Sequence, residues 1–134
     1  MMKNTLFVLA LTIALFVSAS PVVADTARCS ECGMMVDQGS KFSSRLVQEG
    51  NQLDFCDIGD LLTYLNKRSI SPSVAQVKDH TTGEPIAADK AFYVRAEKKF
   101  RTPMGWGIAA FKNKEDAASF GVPMDITAAL KAVK

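Results

Sequence analysis

The chain has 134 residues, with 16 basic and 14 acidic side chains, a formal net charge of +2 and 48% hydrophobic residues. This near balance of charge gives no indication of binding to nucleic acid or to an anionic membrane surface. The length is sufficient for one small globular domain and excludes two independent domains.

The first 24 residues have the pattern of a cleaved export signal. Lys3 is their only charged residue, residues 6–19 are almost wholly apolar, and Val22 and Ala24 are small residues at the two positions that signal peptidase reads. The apolar run is shorter than the ~20 residues of a membrane-spanning helix. We therefore expect cleavage after Ala24 and a periplasmic or other extracytoplasmic protein, without a membrane span in the mature chain.

Residues 25–134 would form the mature chain, and removal of Lys3 from the 16 basic residues leaves 15 against 14 acidic ones. Bacterial lipoproteins carry their lipid on a cysteine directly after a box of small residues. Arg28 stands immediately before Cys29 and does not fit that box. We therefore expect no lipid anchor.

The first half of the mature chain predicts a β-hairpin followed by a helix. Residues 41–47 and 51–56 alternate apolar and polar side chains around a turn at Gly50-Asn51. Asp57 is a suitable N-cap for a helix over residues 58–67. Four apolar residues of that helix share one face, namely Ile58, Leu61, Leu62 and Leu65. A third strand is predicted over residues 73–79, before a turn-rich crossing.

The second half repeats this order. Residues 90–96 and 107–111 predict two strands, Asn113 precedes a short helix over residues 114–120, and a final helix is predicted over residues 126–133. At a constant offset of 56 residues, four positions correspond between the halves: Phe55 and Phe111, Asp57 and Asn113, Asp60 and Asp116, Tyr64 and Phe120. The predicted fold class is α+β, with two similar ββα(β) units, about residues 29–80 and 86–134, in one compact domain.

Soft sulfur is concentrated in residues 29–35, which read CSECGMM. Cys29, Cys32, Met34 and Met35 provide two thiols and two thioethers. Thiolates together with thioethers favour Cu(I), thiolates alone suit zinc, and a CxxC can also be a redox pair. Gly33 allows a sharp bend that would bring either methionine back toward the cysteines.

Two further sulfur residues are candidates for the same site. Met104 lies in a predicted loop between Pro103 and Gly105, beside Trp106, where it could face the cysteines. Cys56 ends a predicted strand, and a buried free cysteine is also common as a small core residue. His80 is the only histidine and lies in a turn, where metal ligation is the minority interpretation.

Three functions are compatible with these residues: a non-enzymatic copper carrier, a thiol-disulfide oxidoreductase, and a structural zinc protein that takes further ligands from Cys56 and His80. A redox CxxC usually begins a helix, whereas residues 36–40 predict a loop. Zinc would leave the methionines unexplained, because it has little use for thioether ligands. The pattern therefore favours the carrier.

The sequence resembles the NosL family, copper-binding accessory proteins associated with assembly of nitrous oxide reductase. The matching segments are CSECGM at residues 29–34, FCDIGD at 55–60, AFYV at 91–94, PMG at 103–105 and AAF at 109–111. This resemblance implies a two-lobed fold, export across the inner membrane, and Cu(I) binding for delivery between donor and recipient proteins of the cell envelope. Family members are typically lipid-anchored and often carry another residue at the position of Cys56.

Overall fold

A computed structural model describes residues 27–134, so the predicted signal peptide lies outside the described residues. These residues form a mixed α and β structure, which confirms the predicted α+β class. The strands are β1 Ser44–Gln48, β2 Asn51–Phe55, β3 Ala75–Lys78, β4 Pro85–Ala87, β5 Phe92–Arg95 and β6 Ile108–Phe111, and the helices are α1 Ile58–Arg68, α2 Lys114–Ala118 and α3 Ile126–Ala132. Among residues 27–134, no helix has the length and apolarity needed to cross a membrane.

The first four strands form an antiparallel sheet in the order β2-β1-β3-β4. The β1-β2 hairpin turns at Glu49 and Gly50, whose φ angles are +50° and +77°. Two positive φ angles between the strands are typical of a tight hairpin turn, because the twist of such a turn matches that of the strands. The resulting register pairs Ser44 with Phe55 and therefore fixes where β2 ends.

Helix α1 begins at the end of β2 because Asp57 stops the strand and caps the helix. The Asp57 backbone is extended, and its Oδ1 accepts a hydrogen bond from the Gly59 N–H at 3.1 Å. The predicted apolar face of α1 is buried and shares one core with the sheet residues Leu46, Phe55 and Val77. Burial of this face fixes the rotation of the helix and directs its first turn toward the cysteine segment.

Within the described part of the chain, the second sheet consists of β5 and β6, which pair antiparallel, and α2 follows β6 as α1 follows β2. Asn113 is the N-cap residue of α2, as the sequence predicted, but its side chain makes no capping hydrogen bond. The segment before α3 returns to this sheet, where Met124 pairs with Tyr93. The order ββα is therefore present twice, although the second unit is smaller; the exact division into halves stays a prediction.

The two sheets are joined where β3 ends. Asp79 and His80 run beside Ala110 of β6, and the His80 N–H donates to the Ala110 carbonyl at 2.8 Å. The His80 ring lies among four phenylalanine rings, with centroid distances of 5.0 to 5.7 Å to Phe42, Phe100, Phe111 and Phe120. Burial lowers the pKa of His80, and nearby Lys41 lowers it further.

Two local elements differ from the sequence prediction. The strand expected over residues 73–79 begins with a 3₁₀ turn, Pro72–Val74, because Pro72 provides the φ angle of a helical first turn and Ser71 caps it. Residues 85–87, expected at the end of the crossing and the start of the second half, instead form β4 and extend the first sheet. Pro85 is acceptable there because β4 is an edge strand, which needs few N–H donors.

Candidate metal centre

The segment CSECGM folds into a tight turn fastened to the edge of β2. The Cys29 N–H donates to the Met34 carbonyl at 2.7 Å, and the Gly33 N–H donates to the Cys29 carbonyl at 2.8 Å. Gly33 has a φ of +77°, a conformation that favours glycine. The Ser30 N–H donates to the carbonyl of Asp54 in β2 at 2.9 Å. The CxxC is therefore in a turn and does not begin a helix.

Glu31, between the two cysteines, connects this turn to the far end of α1. Its carboxylate forms an ion pair with Lys67 and lies 4.0 Å from the guanidinium of Arg68, both in the last turn of the helix. The Glu31 side chain is 15% exposed, whereas those of Lys67 and Arg68 are 60% and 48% exposed. One side of the CxxC turn is thereby held against α1.

Cys56 and Asp60 approach the turn from the β2-α1 junction. Cys56 directly follows β2, and Asp60 lies in the first turn of α1, one helical turn later. Because β2 also carries the CxxC turn on its edge, the strand positions all three cysteines. The one-turn spacing directs the Asp60 carboxylate toward the Cys56 thiol.

The ligand atoms of Cys29, Cys32, Cys56 and Asp60 all lie within 4.8 Å of one another. The Sγ atoms of Cys32 and Cys56 are 3.4 Å apart. The Cys29 thiol donates to Asp60 Oδ2 at 3.4 Å, and the Cys56 thiol approaches the same oxygen at 3.7 Å. We call these four residues the thiol cluster. Its separations suit a single metal ion between three sulfur atoms and one oxygen atom.

The second oxygen of Asp60 is held by Trp106. The indole Nε1–H donates to Asp60 Oδ1 at 3.0 Å. Trp106 reaches this position because Gly59 has no side chain: a Cβ there would lie 2.0 Å from the indole Cγ. Gly59 thus allows the ring to lie directly on the first turn of α1.

The same loop is anchored through Met104. The Met104 N–H donates to Asp57 Oδ2 at 2.9 Å, so Asp57 caps α1 with one oxygen and holds the loop with the other. The Met104 side chain is 44% exposed. The loop that carries Met104 and Trp106 is therefore docked on the helix start that carries Asp60.

The three cysteines of the thiol cluster differ in their exposure to solvent. Cys29 and Cys56 are each only 3% exposed, whereas Cys32 is half-buried. A cleft of about 420 Å³ borders Cys56 and is also lined by Met35, Arg101, Thr102 and Pro103. Met34 and Met35 are 47% and 61% exposed. The thioethers of the CxxCGMM segment are thus accessible to solvent.

All three cysteines are free thiols. Burial raises the pKa of Cys56 strongly, and hydrogen bonding to Cys32 adds to this effect. Burial also raises the pKa of Cys32, against a smaller lowering effect of the Met34 backbone. These two thiols are therefore protonated at neutral pH in the metal-free cluster, and a thiophilic ion must displace their protons to bind.

The structure brings together some of the sequence candidates and not others. Cys29, Cys32 and Cys56 meet in the thiol cluster, and Met34, Met35 and Met104 lie exposed on the adjoining turn and loop. His80 is enclosed by phenylalanine rings and is not a member of the thiol cluster, so the set of three cysteines and His80 is not formed. Asp60 is a member of the thiol cluster that the sequence did not predict; its spacing of four from Cys56 is the signal that would have indicated it.

Comparison with known proteins agrees with the fold and the motifs. The sequence model of the NosL family matches residues 21–123. The crystal structure of the copper chaperone NosL from Shewanella denitrificans is similar with a TM-score of 0.61 and 21% sequence identity, over 79% of this chain and 91% of that chain. No curated protein sequence matches the chain. The family match extends over most of the sequence, and the chain therefore belongs to the NosL family.

Proposed function

We propose that the protein is an exported metallochaperone that binds Cu(I) and carries it to a client metalloprotein or to the machinery that assembles one. Membership of the NosL family supports this function, as does the structural similarity to a protein named as a copper chaperone. The proposed ligands are Cys29, Cys32 and Cys56 in the thiol cluster, with Met34, Met35 and Met104 as thioether donors.

The observation that carries the proposal is the convergence of three thiols beside exposed methionines. Cu(I) is a soft d¹⁰ ion that binds sulfur with low coordination numbers. The Cys32 and Cys56 sulfur atoms, 3.4 Å apart, would hold it between them. Three exposed thioethers on the adjoining turn and loop would offer neutral and easily replaced ligands at the solvent side.

The difference in burial between the cysteines suggests a direction of transfer. Cys29 and Cys56 are buried and Cys32 is half-buried. A recipient could therefore approach Cys32 and the methionines first and exchange ligands one at a time. Such exchange needs no enzymatic step, so we assign no catalytic residue. The copper donor and recipient would be proteins of the cell envelope, in keeping with the predicted export signal.

Anaerobic titration of the reduced protein with Cu(I), in competition with a chromophoric chelator, tests this function. We expect one tightly bound Cu(I) per chain, with weaker binding in Cys32→Ser and in Met34→Ala. Met124→Leu is the matched control, since Met124 is half-buried, packs against the core and pairs with Tyr93. Absence of binding, or binding indifferent to both site substitutions, would overturn the proposal.

A second assay distinguishes the copper carrier from a thiol-disulfide oxidoreductase. The CxxC lies in a turn without a following helix, so Cys29 lacks the dipole that activates a redox thiol. We therefore expect no reduction of insulin disulfides above the uncatalysed rate. A rate that disappears in Cys29→Ser would instead assign an oxidoreductase.

A further inference from the structure

Asp60 supplies the thiol cluster with a donor for which Cu(I) has little need. Its carboxylate is a hard oxygen ligand, whereas Cu(I) prefers sulfur and low coordination numbers. Three thiolates and one carboxylate are instead a complete ligand set for a tetrahedral divalent ion such as Zn²⁺. The Asp60 carboxylate is only 4% exposed and lies between two buried thiols. This donor set therefore suits a harder metal ion than Cu(I).

The separations in the thiol cluster fit such an ion. Zinc bonds of about 2.3 Å to sulfur and about 2.0 Å to oxygen place two tetrahedral sulfur ligands about 3.8 Å apart, and a sulfur and an oxygen ligand about 3.5 Å apart. The Cys32 and Cys56 sulfur atoms are 3.4 Å apart, and Asp60 Oδ2 lies 3.4 Å from Cys29 Sγ and 3.7 Å from Cys56 Sγ. Three of the six edges of a tetrahedral site are thus within about 0.4 Å of their length in a zinc site.

Trp106 completes the arrangement from the second coordination sphere. Carboxylates that bind metals usually have their other oxygen fixed by a hydrogen bond, which orients the ligating atom. Here Asp60 Oδ1 accepts from Trp106 Nε1 at 3.0 Å, which leaves Oδ2 directed at the thiols. Gly59 is the residue that lets the indole approach this closely.

We propose that the thiol cluster also binds a divalent d¹⁰ cation, with zinc as the reference ion, through Cys29, Cys32, Cys56 and Asp60. Asp60 is the ligand that distinguishes divalent ions from Cu(I). The methionines, which zinc does not need, take no part in this second binding mode. It uses the proposed copper site but does not require that copper binding be correct.

Anaerobic titration of the reduced protein with Co²⁺ tests the proposal, because tetrahedral Co²⁺ has intense d–d bands and thiolate ligands add charge-transfer bands. We expect one Co²⁺ per chain with a tetrahedral spectrum, displaced by one equivalent of Zn²⁺. Asp60→Asn should weaken Co²⁺ and Zn²⁺ binding at least tenfold, whereas Cu(I) affinity should change less than about threefold. Asp54→Asn is the control, an acid buried on β2 and paired with Arg45.

Trp106→Phe keeps all four proposed zinc ligands, and it provides a second test of the proposal if the Asp60→Asn variant does not fold. Loss of the indole N–H should weaken Zn²⁺ binding about tenfold, in the range of effects of residues that orient a ligand, with a smaller effect on Cu(I) affinity. An octahedral Co²⁺ spectrum in the unmodified protein, or equal Zn²⁺ affinity in Asp60→Asn, would overturn the proposal. Neither result would affect the Cu(I) titration, so the two proposals fail independently.

Discussion

At the scale of single residues, the contact of Gly59 with Trp106 controls the environment of Asp60. The indole ring rests on the glycine, and its N–H holds one carboxylate oxygen. Trp106 is also the only tryptophan of the chain. Its fluorescence therefore reports directly on the surroundings of the first turn of α1, which carries Asp60.

Gly59→Ala should move the indole, because the new methyl group would lie 2.0 Å from its Cγ. Overpacking of this kind costs about 1–3 kcal/mol, and we expect the free energy of unfolding to fall by that amount. Urea unfolding and the tryptophan emission maximum measure the two effects. Gly39→Ala is the control, because the nearest atom to its new methyl group would be an oxygen of the exposed Asp37 side chain, at 3.2 Å; an equal loss in both variants would contradict the role of Gly59.

Oxidation of the protein should join Cys32 to Cys56. Their sulfur atoms are 3.4 Å apart, whereas the Cys29 thiol is engaged with Asp60. A disulfide reagent such as oxidised glutathione would take up two electrons and two protons as the two thiols become one disulfide. Peptide mapping after alkylation identifies the pair. A Cys29–Cys32 bridge as the main product would contradict this prediction, and Cys32→Ser is the control.

At the scale of elements, the start of α1 organises the site. Asp57 bonds to the helix and to the Met104 loop, and Asp60 bonds to the thiols and to Trp106. Two carboxylates, three residues apart, thus connect the first half of the chain to the loop of the second. The position of that loop depends on the same hydrogen bonds that begin the helix.

Asp57→Ala should weaken Cu(I) binding as well as the helix. Loss of an N-cap costs about 1 kcal/mol of stability, and here the Met104 N–H also loses its acceptor. Asp125→Ala removes the equivalent cap of α3, which accepts from the Ala128 N–H at 2.8 Å, and provides the matched control. We expect similar losses in thermal unfolding but a lower Cu(I) affinity only in Asp57→Ala. Equal Cu(I) affinities would show that Asp57 acts on the helix alone.

The elements themselves were largely predictable from local pattern. Helix α1 follows from its apolar spacing and its cap, and the hairpin follows from alternation around Gly50. β4 was missed because three residues are too few to show alternation, and Pro85 is unfavourable in a strand unless the strand lies at an edge. Local patterns thus identified the long elements, whereas the short edge strand depends on its partner β3.

At the scale of the whole molecule, Asp79 joins the two sheets. It is 2% exposed, and its Oδ1 accepts from the N–H groups of Thr81 and Lys112 while Oδ2 accepts from the Thr82 hydroxyl. Burial alone would raise the pKa of Asp79, but these hydrogen bonds outweigh it and hold the pKa below its ordinary value. The folded state is therefore stabilised by the ionised form.

Asp79→Asn should destabilise the protein by about 1–3 kcal/mol at pH 7, because buried N–H and O–H groups lose a charged acceptor. The unfolded pKa of an aspartate is about 4, and the folded value is lower, so this stabilisation is present above about pH 4 and is lost as the pH falls toward the folded pKa. Urea unfolding at pH 7 and at pH 3 measures the difference. A difference in the free energy of unfolding between wild type and variant that is larger at pH 3 than at pH 7 would contradict this role of Asp79. Asp89→Asn is the control, because Asp89 is exposed.

The thiol cluster illustrates what a sequence can and cannot indicate about a site. The CSECGMM segment predicted a site with sulfur ligands from local sequence alone. Whether Cys56 is a ligand of the same site could not be decided from the sequence. Cys56 is 24 residues from Cys32, and they meet only because the CxxC turn attaches to the edge of β2. The role of Asp60 depends further on Trp106, which approaches from 46 residues away. Such contacts come from tertiary packing and have no local pattern.

The ion pair between Glu31 and the end of α1 has a consequence for the rate at which the site exchanges metal. The helix contacts the CxxC turn near Asp60 and again at Lys67, about 10 Å further along its axis. The second contact is a surface ion pair, which contributes at most about 1 kcal/mol and is weakened by salt. Higher ionic strength should therefore loosen the turn and speed Cu(I) transfer to a chelator, as stopped-flow absorbance would measure. The Glu31→Gln variant should transfer Cu(I) quickly at all salt concentrations. The ion pair would then make access to the buried thiols dependent on ionic strength.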